Sequence, residues 1–329
     1  MSLSWEKGTD GLAIAITSSK SKLWNNKILF LNDDNKGIKT KKLLSKDEVS
    51  KYVGSKVKDR NKVITKLFNA LEKNEAFNDT NEELNIIYET LKRKSGEQDA
   101  VILPPDSKFE LLPLRPQDIK DGNQRTTLFV SGMAGSGKTY LCKQFIMLYS
   151  EMYPTNKIYF ISQQDKDNDP SLKEVRGMME QISIEDIMNE EQPITWESFI
   201  SKPCLTFFDD YDGFPTEKVK RGGTSQFKKV QSLIDDLLRN GRKFGISVLI
   251  SSHDLNKTNK NETILKECEY FCIYPNGIML YHLNYFGQKY LGLSKQQIKD
   301  IKADKSRWII LRRKFPILML TEYECKIIK

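Results

Sequence analysis

A glycine-rich segment at residues 132–139 constrains this chain more than any other feature. It reads Gly-Met-Ala-Gly-Ser-Gly-Lys-Thr and fits the pattern G-x-x-x-x-G-K-[ST]. Residues 126–131, which are β-branched and apolar, predict a strand before it, and the apolar-rich residues 140–149 predict a helix after it. Without these flanks the segment would be an ordinary glycine-rich turn. Strand, loop and helix in this order predict a phosphate-binding loop.

The residue types of this loop suit a bound ATP molecule. Glycines let backbone N–H groups wrap around phosphates, and the helix N-terminus adds a partial positive charge. Lys138 is expected to reach the β- and γ-phosphates, and the Thr139 hydroxyl to bind Mg²⁺. The predicted nucleotide-binding residues are Gly132, Met133, Ala134, Gly135, Ser136, Gly137, Lys138, Thr139 and Tyr140.

Two adjacent aspartates predict the second half of the site. Asp209 and Asp210 follow a largely apolar stretch, 204–208, and Asp209 comes 70 residues after Thr139. Asp209 at a strand tip would bind Mg²⁺ directly or through water, and Asp210 could accept a proton from the attacking water. Two aspartates after an apolar strand can also simply begin a loop.

The segment 238–253 carries three further candidates. Arg239 and Arg242 lie where a predicted helix ends at Gly241. They could cap that helix, or one of them could act as an arginine finger on the nucleotide of a neighbouring subunit. His253 ends the strand expected between the phosphate loop and the Asp209 strand, where it could sense the γ-phosphate, although a lone histidine is more often structural.

The remainder of the C-terminal part alternates strand and helix, which predicts an α/β fold with a mainly parallel sheet. The expected strands after the first are 157–161, 204–209, 246–252 and 270–274, and residues 308–311 and 317–320 predict a closing hairpin. Helices are expected at 171–181, 184–190 and 226–240.

The N-terminal part predicts a small, basic α+β domain at 1–98, followed by the ATPase domain at 99–329. Its expected elements are strands 12–17 and 27–31, helices 45–53 and 62–73, and a helix 80–94 with a capping box of Thr80 and Glu83. Strands at 100–103 and 109–112 are expected to lead into the larger domain.

Charge and cysteine content bound the partners and the compartment. The 329-residue chain has a net charge of +8, and residues 36–66 hold eleven Lys and Arg against three Asp and Glu. This surplus favours nucleic acid or a capsid-facing surface, or it is a solvated basic face. The five cysteines are scattered and lack the spacing of a zinc site, so we expect reduced, mostly buried thiols. The sequence shows no apolar signal-peptide core and no apolar run long enough to span a membrane, and we therefore expect a cytoplasmic location.

These motifs together resemble a known family. The phosphate loop, Phe-Phe-Asp-Asp at 207–210 and Asn-Gly-Arg-Lys-Phe-Gly-Ile-Ser-Val-Leu-Ile-Ser-Ser-His at 240–253 are similar to the FtsK–HerA superfamily of DNA-pumping ATPases. The similarity is greatest to the poxvirus-type genome-packaging ATPases of large DNA viruses, which also have a strand pair like 307–316. It covers about residues 108–320 and leaves 1–98 unexplained.

The resemblance implies a RecA-like (ASCE) core with sheet order 5-1-4-3-2, in a ring of five or six subunits around double-stranded DNA. Lys138, Thr139, Asp209 and Asp210 carry over directly, and Arg242 is preferred over Arg239 as the arginine acting in trans. The family often has Glu at the position of Asp210 and usually Gln at that of His253, which weakens both assignments. A capsid or portal component is a further candidate partner, and no membrane partner is expected. The expected location is the host cytoplasm or virus factory, with virion association.

Two basic segments are candidates for DNA contact. Residues 217–229 contain five Lys and Arg, one acid and Gly222-Gly223, and they follow the tandem acids directly. They would form a pore loop that touches phosphates without reading bases, or a mobile solvated loop. Residues 256–261 are a weaker candidate.

Four functions fit the sequence. The first is an ATP-driven double-stranded DNA translocase that packages a viral genome, and the second is a helicase or conjugation-type motor of the same superfamily. A small-molecule phosphotransferase and a nucleotide-gated scaffold without turnover belong to other classes. The tandem acids and the arginine-bearing segment argue against the phosphotransferase, and intact Lys138 and Asp210 argue against the scaffold.

Overall fold

The structure is a computed structural model, and it describes residues 2–7, 11–22, 24–32, 46–55, 57–73, 77–94, 100–104, 106–113, 125–200, 203–218, 223–255 and 261–328. Within these ranges the chain forms a ten-stranded mixed sheet flanked by helices and a four-stranded antiparallel sheet. In this part of the chain no helix combines the length and apolar character needed to cross a bilayer. All five cysteines are buried, as predicted.

The strands are β1 (Ser2–Ser4), β2 (Leu12–Ser19), β3 (Ile28–Asn32), β4 (Ala100–Ile102), β5 (Ser107–Leu111), β6 (Thr127–Ser131), β7 (Lys157–Ile161), β8 (Glu180–Gln181), β9 (Cys204–Phe208), β10 (Ser247–Ser252), β11 (Tyr270–Ile273), β12 (Ile309–Arg312), β13 (Ile317–Thr321) and β14 (Glu324–Ile328). The helices are α1 (Lys46–Ser50), α2 (Arg60–Lys73), α3 (Glu82–Lys94), α4 (Lys138–Met152), α5 (Ile184–Met188), α6 (Gln226–Asn240), α7 (Glu262–Glu267), α8 (Leu280–Leu291) and α9 (Lys295–Ala303).

The centre of the large sheet is parallel, in the order β11-β6-β10-β9-β7. This is the order 5-1-4-3-2 that the motif resemblance implies. Every residue of β6, β9, β10 and β11 is buried, as expected for continuous apolar runs covered on both faces. Because parallel strands end at one edge, the segments after β6, β9 and β10 meet there.

An antiparallel extension widens the sheet beyond β11. The predicted hairpin is present as β12 and β13, and β14 and β4 continue the sheet in the order β12-β13-β14-β4. Since β12 runs antiparallel to β11, with Ile309 opposite Ile273, its first residues lie at the edge where the parallel strands end.

The small sheet has the order β1-β3-β2-β5. Its strand β5 was expected to lead into the large sheet and instead pairs with β2. Alternate residues of β5 are buried, and they share one hydrophobic cluster with α4, in which Phe109 and Phe145 both lie. After residue 98 the chain thus contributes β4 to the large sheet, returns to the small sheet with β5 and enters the large sheet again with β6, and the proposed division at residue 98 stays a prediction.

Helices α1, α2 and α3 form a separate hydrophobic cluster. The predicted capping box of Thr80 and Glu83 is wrong, because the Asn81 side chain accepts the Glu83 N–H at 3.0 Å and α3 begins at Glu82. Ser45, the first residue of the helix expected at 45–53, lies outside the described residues. Asn81, one position after Thr80, offers the same kind of short side-chain acceptor, and the sequence pattern could not decide between the two residues.

The segment between β7 and β9 also departs from the prediction. A helix was expected at 171–181, but the chain makes two short 3₁₀ turns, at Pro170–Leu172 and Arg176–Met178, and then strand β8, which pairs with β7. Buried Leu172, Val175 and Met179 have helical spacing, which explains the error. Edge pairing with β7 outweighs the helical pattern, while the helix expected at 184–190 is present as α5.

Candidate nucleotide-binding site

The loop at 132–137 joins β6 to α4, the arrangement predicted from the motif. Gly137 has φ of +101°, a left-handed conformation that side-chain-bearing residues rarely adopt. A Cβ atom at Gly132 would lie 2.6 Å from the ring of Tyr274 and 2.7 Å from Ser136 Oγ. The loop is therefore packed closely at its start and turns sharply at its end. The N-terminus of α4 points into the loop there.

Lys138 lies at the centre of this edge of the sheet. Its side chain is buried, and Nζ donates to the Gly132 carbonyl oxygen at 2.9 Å. The same ammonium is 3.2 Å from His253 Nδ1 and 3.8 Å from Asp210 Oδ1. The structure therefore joins the phosphate loop, one of the tandem acids and the histidine in a single cluster.

Asp209 is buried at the tip of β9. Its pKa is raised to about 6, mainly by burial and also by the Asp210 charge, while a hydrogen bond from Ser251 acts in the opposite direction. Ser251 Oγ donates to Asp209 Oδ1 at 2.7 Å and accepts the Asp210 N–H at 2.7 Å. Sequence reasoning missed Ser251, although two serines at the carboxyl end of an otherwise apolar, buried strand were the available signal.

Asp210 lies in a different environment from Asp209. Its backbone has φ of +41°, a left-handed conformation that aspartate adopts more readily than most residues other than glycine. The side chain is 48% exposed, and Oδ2 is 3.4 Å from His253 Nε2. One acid is therefore buried at the tip of β9, and its neighbour, beside Lys138, is open to water at the same edge. This arrangement suits the predicted division between a metal ligand and a base.

His253 lies where the sequence predicted it, directly after β10 and between the ends of β6 and β9. Besides Lys138 and Asp210, it contacts Asp212, whose carboxylate accepts the His253 N–H at 3.2 Å. Asp212 belongs to a short turn that follows the tandem acids. The histidine thus links the loop, the exposed acid and the segment beyond it.

The residues present fit a Mg²⁺ ion. The charged form of Asp209 is disfavoured by burial, and a divalent cation offsets that cost. Thr139, half-buried in the first turn of α4, would be the second protein ligand. The described residues contain no cluster of three or more His, Cys, Asp and Glu with metal-binding geometry. Magnesium commonly takes its other ligands from phosphate and water, so two protein ligands suffice.

Arg307 also contacts the loop, and sequence reasoning did not select it as a site residue. Its Nε donates to the Ser136 carbonyl oxygen at 3.3 Å. A Cβ atom at Gly137 would lie only 2.5 Å from its Nη2. The available signal was an arginine directly before a strand expected to close the sheet.

Arg239 and Arg242 lie outside this cluster. They stand at the end of α6 and before β10, and therefore at the amino edge of the parallel strands, opposite the loop. Arg242 is exposed, and Arg239 donates to Thr263 Oγ1 at 3.4 Å. Neither belongs to the site of its own chain, and action of Arg242 on a neighbouring subunit stays a prediction.

A buried arginine that the sequence did not reveal fixes this opposite edge. Arg125 donates to the carbonyl oxygens of Leu237, at 2.5 Å, of Leu238, and of Ile246, at 3.2 Å. Burial lowers its pKa to about 10, so it remains charged at neutral pH. Its role is to cap the C-terminus of α6 and to hold the turn that carries Arg242.

Met133 and Tyr140 are large apolar side chains that lie exposed at the loop, and their predicted contact with the nucleotide stays a prediction. Of the first basic segment, residues 219–222 lie outside the described part. Lys218 and Ser225 form an antiparallel bridge that closes it. Of the second, residues 256–260 lie outside that part, and buried Asn261 accepts a hydrogen bond from the Tyr211 hydroxyl.

Comparison with known proteins gives one related sequence and several similar structures. No protein-family model matches the chain. The uncharacterized protein V3 of Sputnik virophage is 27% identical over 233 residues, which are 70% of this chain and 85% of that protein. The genome packaging NTPase B204 from Sulfolobus turreted icosahedral virus 2, in complex with AMP, matches 60% of this chain and 96% of its own, at 17% identity and a TM-score of 0.41.

Two other similar structures are a conjugation coupling protein and a secretion ATPase. The pCW3 conjugation coupling protein TcpA, in its monomer form with ATPγS, matches 69% of this chain and 67% of its own, at 10% identity and a TM-score of 0.41. The cytoplasmic domain of the type VII secretion ATPase EccC from Thermomonospora curvata matches 68% of this chain and 28% of its own, at 12% identity and a TM-score of 0.43.

Proposed function

We propose that this chain is an ATP-hydrolysing double-stranded DNA translocase with a RecA-like core, which packages a viral genome as a homo-oligomeric ring. The observation that carries the ATPase part is the cluster at one sheet edge. There Lys138 Nζ is 3.8 Å from Asp210 Oδ1, and Ser251 bonds both to Asp210 and to buried Asp209. The DNA part rests on the motif resemblance over 207–253 and on the basic character of the chain.

In this proposal the chain performs hydrolysis with few groups. Backbone N–H groups of 132–139 bind the phosphates, and Lys138 contacts the β- and γ-phosphates. Asp209 and Thr139 would hold Mg²⁺, which would supply positive charge beside the phosphates. Asp210, exposed beside Lys138, orients the attacking water and accepts its proton.

Movement would begin at His253. This residue contacts Lys138, Asp210 and Asp212, so loss of the γ-phosphate changes the charges around it. Asp212 lies in the turn that leads to the basic segment 217–229. The His253–Asp212 hydrogen bond is thus a direct link from the nucleotide to residues proposed to touch DNA phosphates.

The test is ATP hydrolysis measured with and without duplex DNA. Lys138→Ala should abolish hydrolysis, and Asp210→Asn should abolish it while retaining nucleotide binding, because the water loses its base. Lys299→Ala, which removes an exposed cation of α9, is the charge-matched control and should behave as wild type. An active ATPase indifferent to duplex DNA of every length, at low and high salt, would contradict the translocase.

The same samples distinguish the other functions. Displacement of a triplex strand without separation of a duplex supports double-strand translocation, whereas duplex separation supports a helicase. Transfer of phosphate to a small acceptor instead of water supports a phosphotransferase. ATP binding without turnover in the wild type supports a scaffold.

Sharing of sites between subunits is tested by mixing. Arg242→Ala should hydrolyse ATP slowly, because an arginine beside the γ-phosphate stabilises transition-state charge. Mixed with Lys138→Ala, which is inactive by itself, it should gain activity, because some interfaces then join an intact phosphate loop to an intact Arg242. Arg239→Ala is the matched control on the same helix end, and a mixture of Lys138→Ala and Arg242→Ala that gains no activity would refute the trans role of Arg242.

A further inference from the structure

The antiparallel strand β12 brings a second cation to the phosphate loop within one chain. Ile309 pairs with Ile273 at the end of β11, so residues just before β12 lie at the edge where β6 and the loop meet. Arg307 is two residues before the strand. The topology therefore places its side chain beside the loop without any neighbouring subunit.

Arg307 is directed at one part of the loop. Its Nε donates to the Ser136 carbonyl oxygen at 3.3 Å, and its guanidinium lies against the Cα of Gly137. The approach is close, because a Cβ added at Gly137 would come within 2.5 Å of Nη2. The side chain is exposed, and among the described residues it forms no ion pair with a carboxylate.

The backbone on either side of Arg307 is held firmly. Trp308 is buried in the cluster that includes α4. Before it, Lys302 Nζ donates to the carbonyl oxygens of Pro275 and, at 2.7 Å, of Ile278. The turn at 275–277 packs against Met133 of the loop. A Cβ atom added at Gly277 would lie 3.4 Å from Met133 Cε. The arginine is thus carried by a frame that is fixed relative to the loop.

A second observation marks the same part of the loop as a ligand site. Ser136 Oγ is buried and has no hydrogen-bond partner among the described residues. Buried hydroxyls are normally hydrogen-bonded, and this one lies in a loop that binds phosphate by its pattern. A buried hydroxyl without a hydrogen-bond partner and a guanidinium without a carboxylate partner, which lie side by side at the loop, both favour an anionic ligand.

We propose that Arg307 binds the polyphosphate chain of the nucleotide in cis, as a second cation that contacts it from the Ser136–Gly137 side of the loop. Lys138 occupies the other side, near Gly132 and the tandem acids. This inference rests on the proposed nucleotide site. It differs from the predicted trans arginine in that a single chain supplies Arg307 to its own site.

The test is equilibrium binding of fluorescent mant-ATP, mant-ADP and mant-AMP to the full chain with Mg²⁺ at low protein concentration. Arg307→Ala should weaken mant-ATP binding by roughly tenfold, as expected for a partly exposed charge-assisted contact, with a much smaller loss for mant-AMP. The deficit should shrink as salt concentration rises. Arg307→Lys should recover part of the affinity, because it keeps the charge and loses the planar fork.

Two further variants make the result decisive. Lys299→Ala removes an exposed cation of α9 and should bind as wild type. Arg307→Gln keeps bulk against Gly137 and replaces Arg307→Ala if circular dichroism shows that the latter is unfolded.

The outcomes separate this inference from the function on which it rests. Binding lost in Lys138→Ala but unchanged in Arg307→Ala and Arg307→Gln overturns the role of Arg307 alone. An equal loss for all three nucleotides also overturns it, since that pattern indicates a base or ribose contact. Absence of nucleotide binding in wild type overturns both proposals.

Discussion

Asp209 should limit the stability of the folded chain at neutral pH. Its folded-state pKa is about 6, against an ordinary value of 3.8, and the main cause is burial. Each pKa unit corresponds to about 1.4 kcal/mol, so the ionised carboxylate costs the fold about 3 kcal/mol. Asp209→Asn removes that charge and keeps an oxygen that can accept the Ser251 hydrogen bond.

The sign of the pH dependence follows from proton binding. Between about pH 4 and pH 6 the folded chain holds a proton on Asp209 that the unfolded chain has lost, so the free energy of unfolding falls as pH rises. Asp209→Asn lacks this decline. It should equal wild type near pH 4 and exceed it by about 3 kcal/mol at pH 8, where the wild-type carboxylate is ionised.

Urea unfolding from pH 4 to pH 8 measures the difference. Asp300→Asn, at an exposed carboxylate of α9, is the matched control and should follow wild type throughout. Addition of Mg²⁺ and ATP should stabilise wild type and have little effect on Asp209→Asn, because the metal ligand is gone. Parallel curves for Asp209→Asn and wild type across this range would refute the reasoning.

Three other substitutions test the contacts around the site. Ser251→Ala should raise the pKa of Asp209 above 6, because it removes a hydrogen bond that lowers this pKa. Calorimetry with ATP should then show a larger loss of Mg²⁺ affinity at pH 6 than at pH 8, and equal losses at both pH values would contradict this. Arg125→Ala leaves carbonyl groups at the end of α6 unpaired, so urea unfolding should show a loss of stability of about 3 kcal/mol, with mant-ATP affinity intact. A loss of stability below about 1 kcal/mol would argue against a capping role. Gly137→Ala combines a positive φ with a clash against Arg307 and should abolish mant-ATP binding while circular dichroism stays unchanged; retained binding would show that the loop tolerates the change.

Much of the large sheet was predictable because local pattern and global position agree there. Continuous apolar runs indicated the buried parallel strands. The motif resemblance implied their order, and the structure shows the same order. Prediction was poorest where strand pairing, and not the local hydrophobic pattern, determines the secondary structure. Strand β5 joins the small sheet, and β8 replaces part of an expected helix, because edge pairing depends on partners distant in the chain.

The sequence by itself determined the loop at 132–139 and the position of Asp209 and Asp210 at a strand end, because these features depend on residue type and short spacing. Only the tertiary structure decided which distant residues meet there. Ser251 and Arg307 reach the site through strand pairing across more than 40 and 170 residues, respectively. Such contacts leave no local pattern, since packing of the whole sheet determines them.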